Sequence, residues 1–239
     1  MFFDLFWGDT TILVLIPAMI FAFWAQMRVN STFKKYAKVP SRRGLTGAEA
    51  ARRVLDASGL YHVRVERIHG HLTDHYDPRE NVIRLSDATY ASTGIAAIGV
   101  AAHEAGHAVQ HAKGYVPIKV RAAIIPLTRF GSALAMPLFL IGLIFAGSAY
   151  FEGRIGEILM LTGILFFSFS TLFQLVTLPT EFNASARAMK ALEDGGLLAA
   201  DELPGAKATL SAAAMTYVAA LASSLASLLR LILIFNRRR

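Results

Sequence analysis

The chain has 239 residues, of which 54% are hydrophobic and only 17% charged, and it contains no cysteine. That balance excludes a disordered chain, which carries fewer apolar and more charged residues, and the missing thiols exclude a disulfide scaffold and a cysteine-ligated zinc finger. The net charge of +7 comes without a groove-reading helix or an aromatic–basic pattern, so no nucleic acid is implied; it suits cations that set membrane topology and meet the anionic head groups of a lipid bilayer.

The first apolar block, residues 10–27, lacks Asp, Glu, Lys and Arg and approaches the ~20 residues that a spanning helix needs. Asp4 and Asp9 precede it where a signal peptide carries cations, and no small-residue cleavage site follows, so it reads as a retained span. Pro17 within it needs neighbours to satisfy the carbonyl it frees. Arg28, Lys34, Lys35, Lys38, Arg42 and Arg43 follow before any acid. The positive-inside rule therefore places residues 28–129 in the cytoplasm.

This polar region reads as a small α+β unit. Thr46 and Glu49 have capping-box spacing, Ala51, Val54, Leu55 and Ser58 recur at helical period, and Gly59 is placed to stop the helix. Tyr61, Val63 and Val65 alternate with His62, Arg64 and Glu66, which predicts a strand. Asp77, Pro78, Arg79, Glu80 and Asn81 are turn chemistry between two short extended runs, which predicts a hairpin. His69, His71 and His75 cluster nearby and read as solvated residues around a strand and turn. A helix is expected from about Thr93 to Lys113, capped by Ser92 or Thr93 and closed by Gly114. It is apolar nearly all round, so it is buried.

Ionisable residues inside such a helix are costly without partners or a task. His103, Glu104 and His107 sit at its middle as HEAGH, an instance of H-E-x-x-H. Residues four apart share a helix face, so His103 and His107 can place two ring nitrogens on one Zn²⁺. Glu104, rotated about 100° from His103, can hold a water and act as general base. A catalytic zinc takes three protein ligands and keeps one position open. His111 continues the face, but eight residues of straight helix rise ~12 Å, too far from His103 to share one ion. It reads as a residue of the outer shell or the surface.

Residues 130–151 and 158–180 form the next two apolar blocks, rich in Leu, Ile and Phe, with a short external turn around residues 152–154. This hairpin returns residues 181–207 to the cytoplasmic side, at the same membrane boundary as the HEAGH helix. Glu181 then reads equally well as the third ligand or as an acid complementing the dipole of a helix that starts there. The last block, residues 208–229, is rich in Ala and Ser, which suits packing against other helices. A full crossing would place Arg237, Arg238 and Arg239 outside, against the charge rule, and that conflict stays open. The expected organisation is a mainly α integral membrane protein of about four transmembrane helices: a helix at 1–27, a cytoplasmic zincin-like domain at 28–129, a hairpin at 130–180, a cytoplasmic helix at 181–207, and a final helix with basic tail at 208–239.

STFKKY (31–36), RGLTGAEAARRVLDASGLY (43–61), DHYDPRENVIRLS (74–86), GVAAHEAGHAVQHAKGY (99–115), FQLVTLPTEFNASARAMKAL (173–192) and GAKATLSAAAMTYVAA (205–220) together resemble the bacterial membrane-bound neutral zinc metallopeptidases, nearly end to end. The chain is more distantly similar to the integral-membrane gluzincins that include the CAAX prenyl protease and the heat-shock membrane protease. The resemblance implies one zinc per chain bound by His103, His107 and Glu181, with Glu104 as base. The family commonly reads E-F-D-A-S where this chain has Asn183. A carboxylate there could orient a histidine, and Asn keeps the acceptor without the charge. Arg187 also matches the family segment, as a contact to substrate or oxyanion or as a lipid-facing cation.

Two functions of different class follow. One is a zinc metalloendopeptidase of the cell membrane that hydrolyses membrane-associated or misfolded polypeptides, taking extended substrate by strand addition near residues 74–77. The other is a non-catalytic scaffold or chaperone-like protein with a closed structural zinc, recruiting His111 or His75 as a fourth ligand. A transporter is disfavoured, since no internal repeat is visible and intramembrane charges are few.

Overall fold

The computed structural model describes residues 10–147 and 153–238. Asp4, Asp9, Phe151, Glu152 and Arg239, on which some expectations above rest, lie outside the described residues. The order is α1 (Leu15–Ala37, after a 3₁₀ turn at Thr10–Val14), α2 (Gly47–Ala57), β1 (Arg64–Ile68), β2 (His75–Asp77), β3 (Val82–Ser86), α3 (Ile95–Ala112), α4 (Val116–Ala146), α5 (Gly153–Asp194) and α6 (Leu203–Arg238). The chain divides into two compact units, one of Met1–Trp24, Val120–Thr177 and Tyr217–Arg239, the other of Ala25–Lys119 and Leu178–Thr216.

The first unit is helical and inside out. Four helices are long and apolar enough to cross a membrane, and only 11–22% of their most apolar stretches is buried. Leu134, Leu140, Ile144, Ile158, Leu161 and Leu165 all point outward. In water such a surface is untenable, whereas lipid solvates it. The protein is therefore a mainly α membrane protein. Glycines let α4 and α5 meet backbone to backbone. A methyl on Gly142 would lie 2.7 Å from the Gly156 carbonyl, and one on Gly163 would lie 2.7 Å from the Ala135 carbonyl, which is small-residue packing. Phe139, Leu143, Met160, Leu231 and Phe235 form the interior beside that contact. Pro17 falls in the first turn of α1, where an N–H is not required. The helices outrun their apolar blocks: α4 begins well before residue 130 and α5 continues well past residue 180.

The second unit holds the polar sequence. The capping box is formed as expected: the Glu49 amide donates to Thr46 Oγ1 over 3.2 Å and the Thr46 amide donates to Glu49 Oε2 over 2.8 Å. Gly59, at φ +74°, ends the helix. The strand expected from Tyr61 begins only at Arg64. Arg52 explains the delay. Its guanidinium donates to the carbonyls of Leu60 and Val63 over 2.9 and 2.5 Å, which holds residues 60–63 as a turn and leaves Tyr61 74% exposed.

The sheet runs β1-β3-β2. β3 is central and buried, β1 pairs with it in parallel, and β2 pairs with it antiparallel as the expected hairpin. Asp77 Oδ1 closes that turn by accepting the Arg79 amide over 2.8 Å. The cap of α3 differs from expectation. Gly94 is the N-cap, and no side chain caps the helix. A methyl on Gly94 would lie 2.4 Å from the Ala37 carbonyl, so the close crossing of two backbones demands glycine there. Ser92 Oγ accepts the Gly94 amide instead, over 3.2 Å. The core gathers Leu55, Ile83, Leu85, Ile98, Ala102 and Leu192 around α3, which is buried on nearly every face.

Candidate metal centre

α3 is held where it is by small residues. A methyl on Gly106 would lie 2.7 Å from the Ala184 carbonyl of α5, so the two helices touch at backbone distance one residue before His107. That contact brings Glu181 onto the histidine face. Glu181 Oε2 lies 3.3 Å from His103 Nε2 and 3.4 Å from His107 Nε2. One ligand atom from each of the three residues fits within 4.8 Å of the other two. Glu181 is 2% exposed and sits deep inside α5, so a helix dipole at an N-terminus does not explain it.

The other ring nitrogens are engaged. His103 Nδ1 lies 3.1 Å from Ser185 Oγ, and His107 Nδ1 lies 3.0 Å from Gln110 Oε1. Gln110 has its amide group committed elsewhere, donating to the Thr180 carbonyl over 2.8 Å. Its Oε1 must therefore accept, and His107 Nδ1 must carry the hydrogen. In a neutral ring Nε2 is then a lone pair, aimed at a carboxylate oxygen. Two acceptors face each other, and only a cation between them reconciles that arrangement. Burial disfavours a proton on His107, but the hydrogen bond to Glu181 and the charges of Glu104 and Glu181 hold the imidazole above its ordinary pKa. A divalent ion meets the same demand. Ligands at about 2.0–2.1 Å from a tetrahedral zinc stand roughly 3.3–3.4 Å apart, which matches both separations. The residues fit zinc.

Glu104 is buried on the same helix, near enough to His107 for its charge to be felt there. Asn183 bonds to Gln110 and Arg187: its Oδ1 accepts from Gln110 Nε2 over 3.0 Å and from Arg187 Nε over 2.8 Å. The Arg187 guanidinium also lies 6.0 Å above the Tyr115 ring. His111 and His75 are not brought into the group. His111 packs edge-on against Tyr76 at 5.7 Å and lines a polar pocket of about 200 Å³ with His62, Tyr76 and Asn81. His75 is exposed, with Nδ1 2.9 Å from the Thr73 carbonyl. His69 pairs with Asp87 at 3.3 Å, and His71 meets the Phe33 ring at 5.7 Å.

Sequence reasoning missed Gln110, Ser185 and Gly106. Gln110 had a usable signal: a polar residue three positions past His107, in a helix with almost no other polarity, needs partners just as the histidines do. Gly106 gives a direct test. Gly106→Ala should destabilise the fold by about 1–3 kcal/mol, as overpacking does, and weaken metal binding by at least about tenfold as α5 moves away. Thermal unfolding and zinc competition on one preparation check both; unchanged zinc affinity would show that the close contact does not set the site.

The chain matches the sequence pattern of the family described as "Putative neutral zinc metallopeptidase" over residues 11–236. It is 47% identical over 228 residues to "Putative membrane protease YugP" of Bacillus subtilis (strain 168), covering 95% of this chain and 97% of that protein. No solved structure matches it.

Proposed function

Since the chain belongs to the neutral zinc metallopeptidase family, we propose that it is a membrane-bound zinc endopeptidase in which His103, His107 and Glu181 hold one zinc and Glu104 is the general base. The observation that carries this reading is the spacing of 3.3 and 3.4 Å between one carboxylate oxygen and two imidazole nitrogens, the kind of three-ligand set to which a catalytic zinc adds a water. Zinc bound there would bring the pKa of its water to about 7 and polarise a substrate carbonyl. Glu104 takes a proton from the attacking water as the C–O bond forms, and returns it to the leaving nitrogen as the C–N bond breaks. Gln110 and Ser185 keep the two rings oriented.

β2 is an edge of the sheet and packs beside α3 through the contact of Tyr76 with His111. An extended polypeptide can add to that edge by main-chain hydrogen bonds. Loops and juxtamembrane tails of misfolded or membrane-associated proteins are the substrates such an edge accepts. The cations between Arg28 and Arg43 support a catalytic unit on the cytoplasmic side of the cell membrane, where they would also meet anionic lipid. The scaffold alternative needs a fourth protein ligand, and among the described residues neither His75 nor His111 joins the metal group, which favours the enzyme.

The test is hydrolysis of an unfolded protein by the purified full chain in detergent. A strong chelator should lower the rate by at least about 100-fold and added zinc should restore it, since without the ion water is not activated. A rate that survives chelation contradicts the proposal.

A further inference from the structure

The hydrogen bonds around His107 form a chain with one direction. Arg187 Nε donates to Asn183 Oδ1, Gln110 Nε2 donates to the same Oδ1, and Gln110 Oε1 accepts from His107 Nδ1. A guanidinium offers donors only. It therefore compels Asn183 to present its oxygen, because a flipped amide would set an NH₂ against two N–H groups. Once Asn183 presents oxygen, Gln110 must present NH₂ toward it and toward the Thr180 carbonyl. Gln110 Oε1 is left for His107, whose hydrogen must then be on Nδ1. Gln110 is wholly buried, so water cannot stand in for it if its own amide turns the wrong way.

We propose that Arg187 is a positioning residue which, through Asn183 and Gln110, locks His107 in the Nδ1–H tautomer and so keeps its Nε2 available to the metal. The proposal rests on the zinc reading above and deepens it. It assigns Arg187 a task that needs no contact with substrate. It also says what Asn at position 183 entails. An amide has two orientations, so at Asn183 the direction of the chain depends on Arg187, which adds to the hold of the Thr180 carbonyl on Gln110. An aspartate at that position could only accept and would fix the direction by itself.

The experiment uses the full chain in detergent, with zinc affinity measured by competition against a chromogenic chelator. Gln110→Leu should weaken binding about 10–100-fold, the usual effect of losing the partner of a ligating histidine. Arg187→Met should weaken it by about threefold to tenfold, because the Thr180 carbonyl still favours the correct Gln110 orientation. Asn183→Asp added to Arg187→Met should bring affinity back to within about twofold of wild type. A merely structural loss at Arg187 gives no such rescue. Heat unfolding of the metal-free forms should not separate the single from the double variant.

Nitrogen-15 spectra of the imidazoles in the metal-free wild type supply a second readout: His107 should carry its hydrogen on Nδ1 when the ring is neutral. Wild-type affinity in Arg187→Met, no recovery in the double variant, or a hydrogen on Nε2 would each overturn the proposal. The tautomer measurement needs no zinc, so failure of this chain and failure of the zinc reading remain distinguishable.

Discussion

Glu104→Gln should lower peptide hydrolysis by about 10²–10⁴-fold while leaving zinc bound, the loss expected when a general base is removed and equivalent to roughly 3–5 kcal/mol of barrier at 1.36 kcal/mol per decade. Gln keeps the shape of the buried side chain and can still hydrogen-bond to water, but it cannot take the proton. The loss should therefore fall on kcat, with KM little changed. Zinc content by elemental analysis and thermal unfolding, both measured on the same preparation, separate lost chemistry from lost structure. A variant that cleaves as fast as wild type contradicts the assigned role of Glu104.

Glu181→Gln should have the second large effect, and it should fall on the metal. The side chain stays the same size, so the packing around α5 is kept, while the one charged ligand is lost. Zinc affinity should drop by more than about 100-fold, beyond the ~10–100-fold typical of an outer partner. Stability makes the result decisive. Ligand at 1,000 times its Kd stabilises a folded protein by about 4.1 kcal/mol, so wild type should unfold at higher temperature with zinc than with chelator. In Glu181→Gln that difference should nearly vanish at the same zinc concentration. A structural ion pair predicts another pattern: breaking a buried pair costs about 3–5 kcal/mol with or without zinc. The metal-free protein has its own pH response. Because His107 is held above its ordinary value and Glu181 below its own, their contact contributes stability fully only between the two unfolded values, about pH 4.5 and 6.5, and fades as falling pH protonates Glu181. That contribution is also lost as pH rises through the folded value of His107.

Much of this architecture was legible because its signals are local. The apolar blocks, the capping box at Thr46 and Glu49, the turn at Asp77 and the HEAGH spacing each express their physics within a few residues. The misplacements arose where a distant group intervened. Arg52 holds residues 60–63 in a turn and so delays the strand that alternation predicted. The Ala37 carbonyl leaves room only for Gly94 at the start of α3, which overrides two better capping residues. The same limit applied at the metal centre. His103 and His107 meet by helical period, but Glu181 reaches them through the backbone contact of Gly106 with Ala184, which no spacing encodes. The continuous run of α5 through position 181 then removed the competing dipole reading. Asn183 departs from the resembling sequences, but its route to His107 through Gln110 carries no local signal, because Gln110 lies 73 residues away along the chain.

X-ray absorption at the zinc edge of the loaded full chain tests the central claim most directly. Two imidazoles, one carboxylate and one water should give a first shell of four nitrogen or oxygen scatterers at about 2.0–2.1 Å, with outer-shell scattering from two rings and one zinc per chain. Three or four ring signals, or a first shell unaltered in Glu181→Gln, would contradict the account.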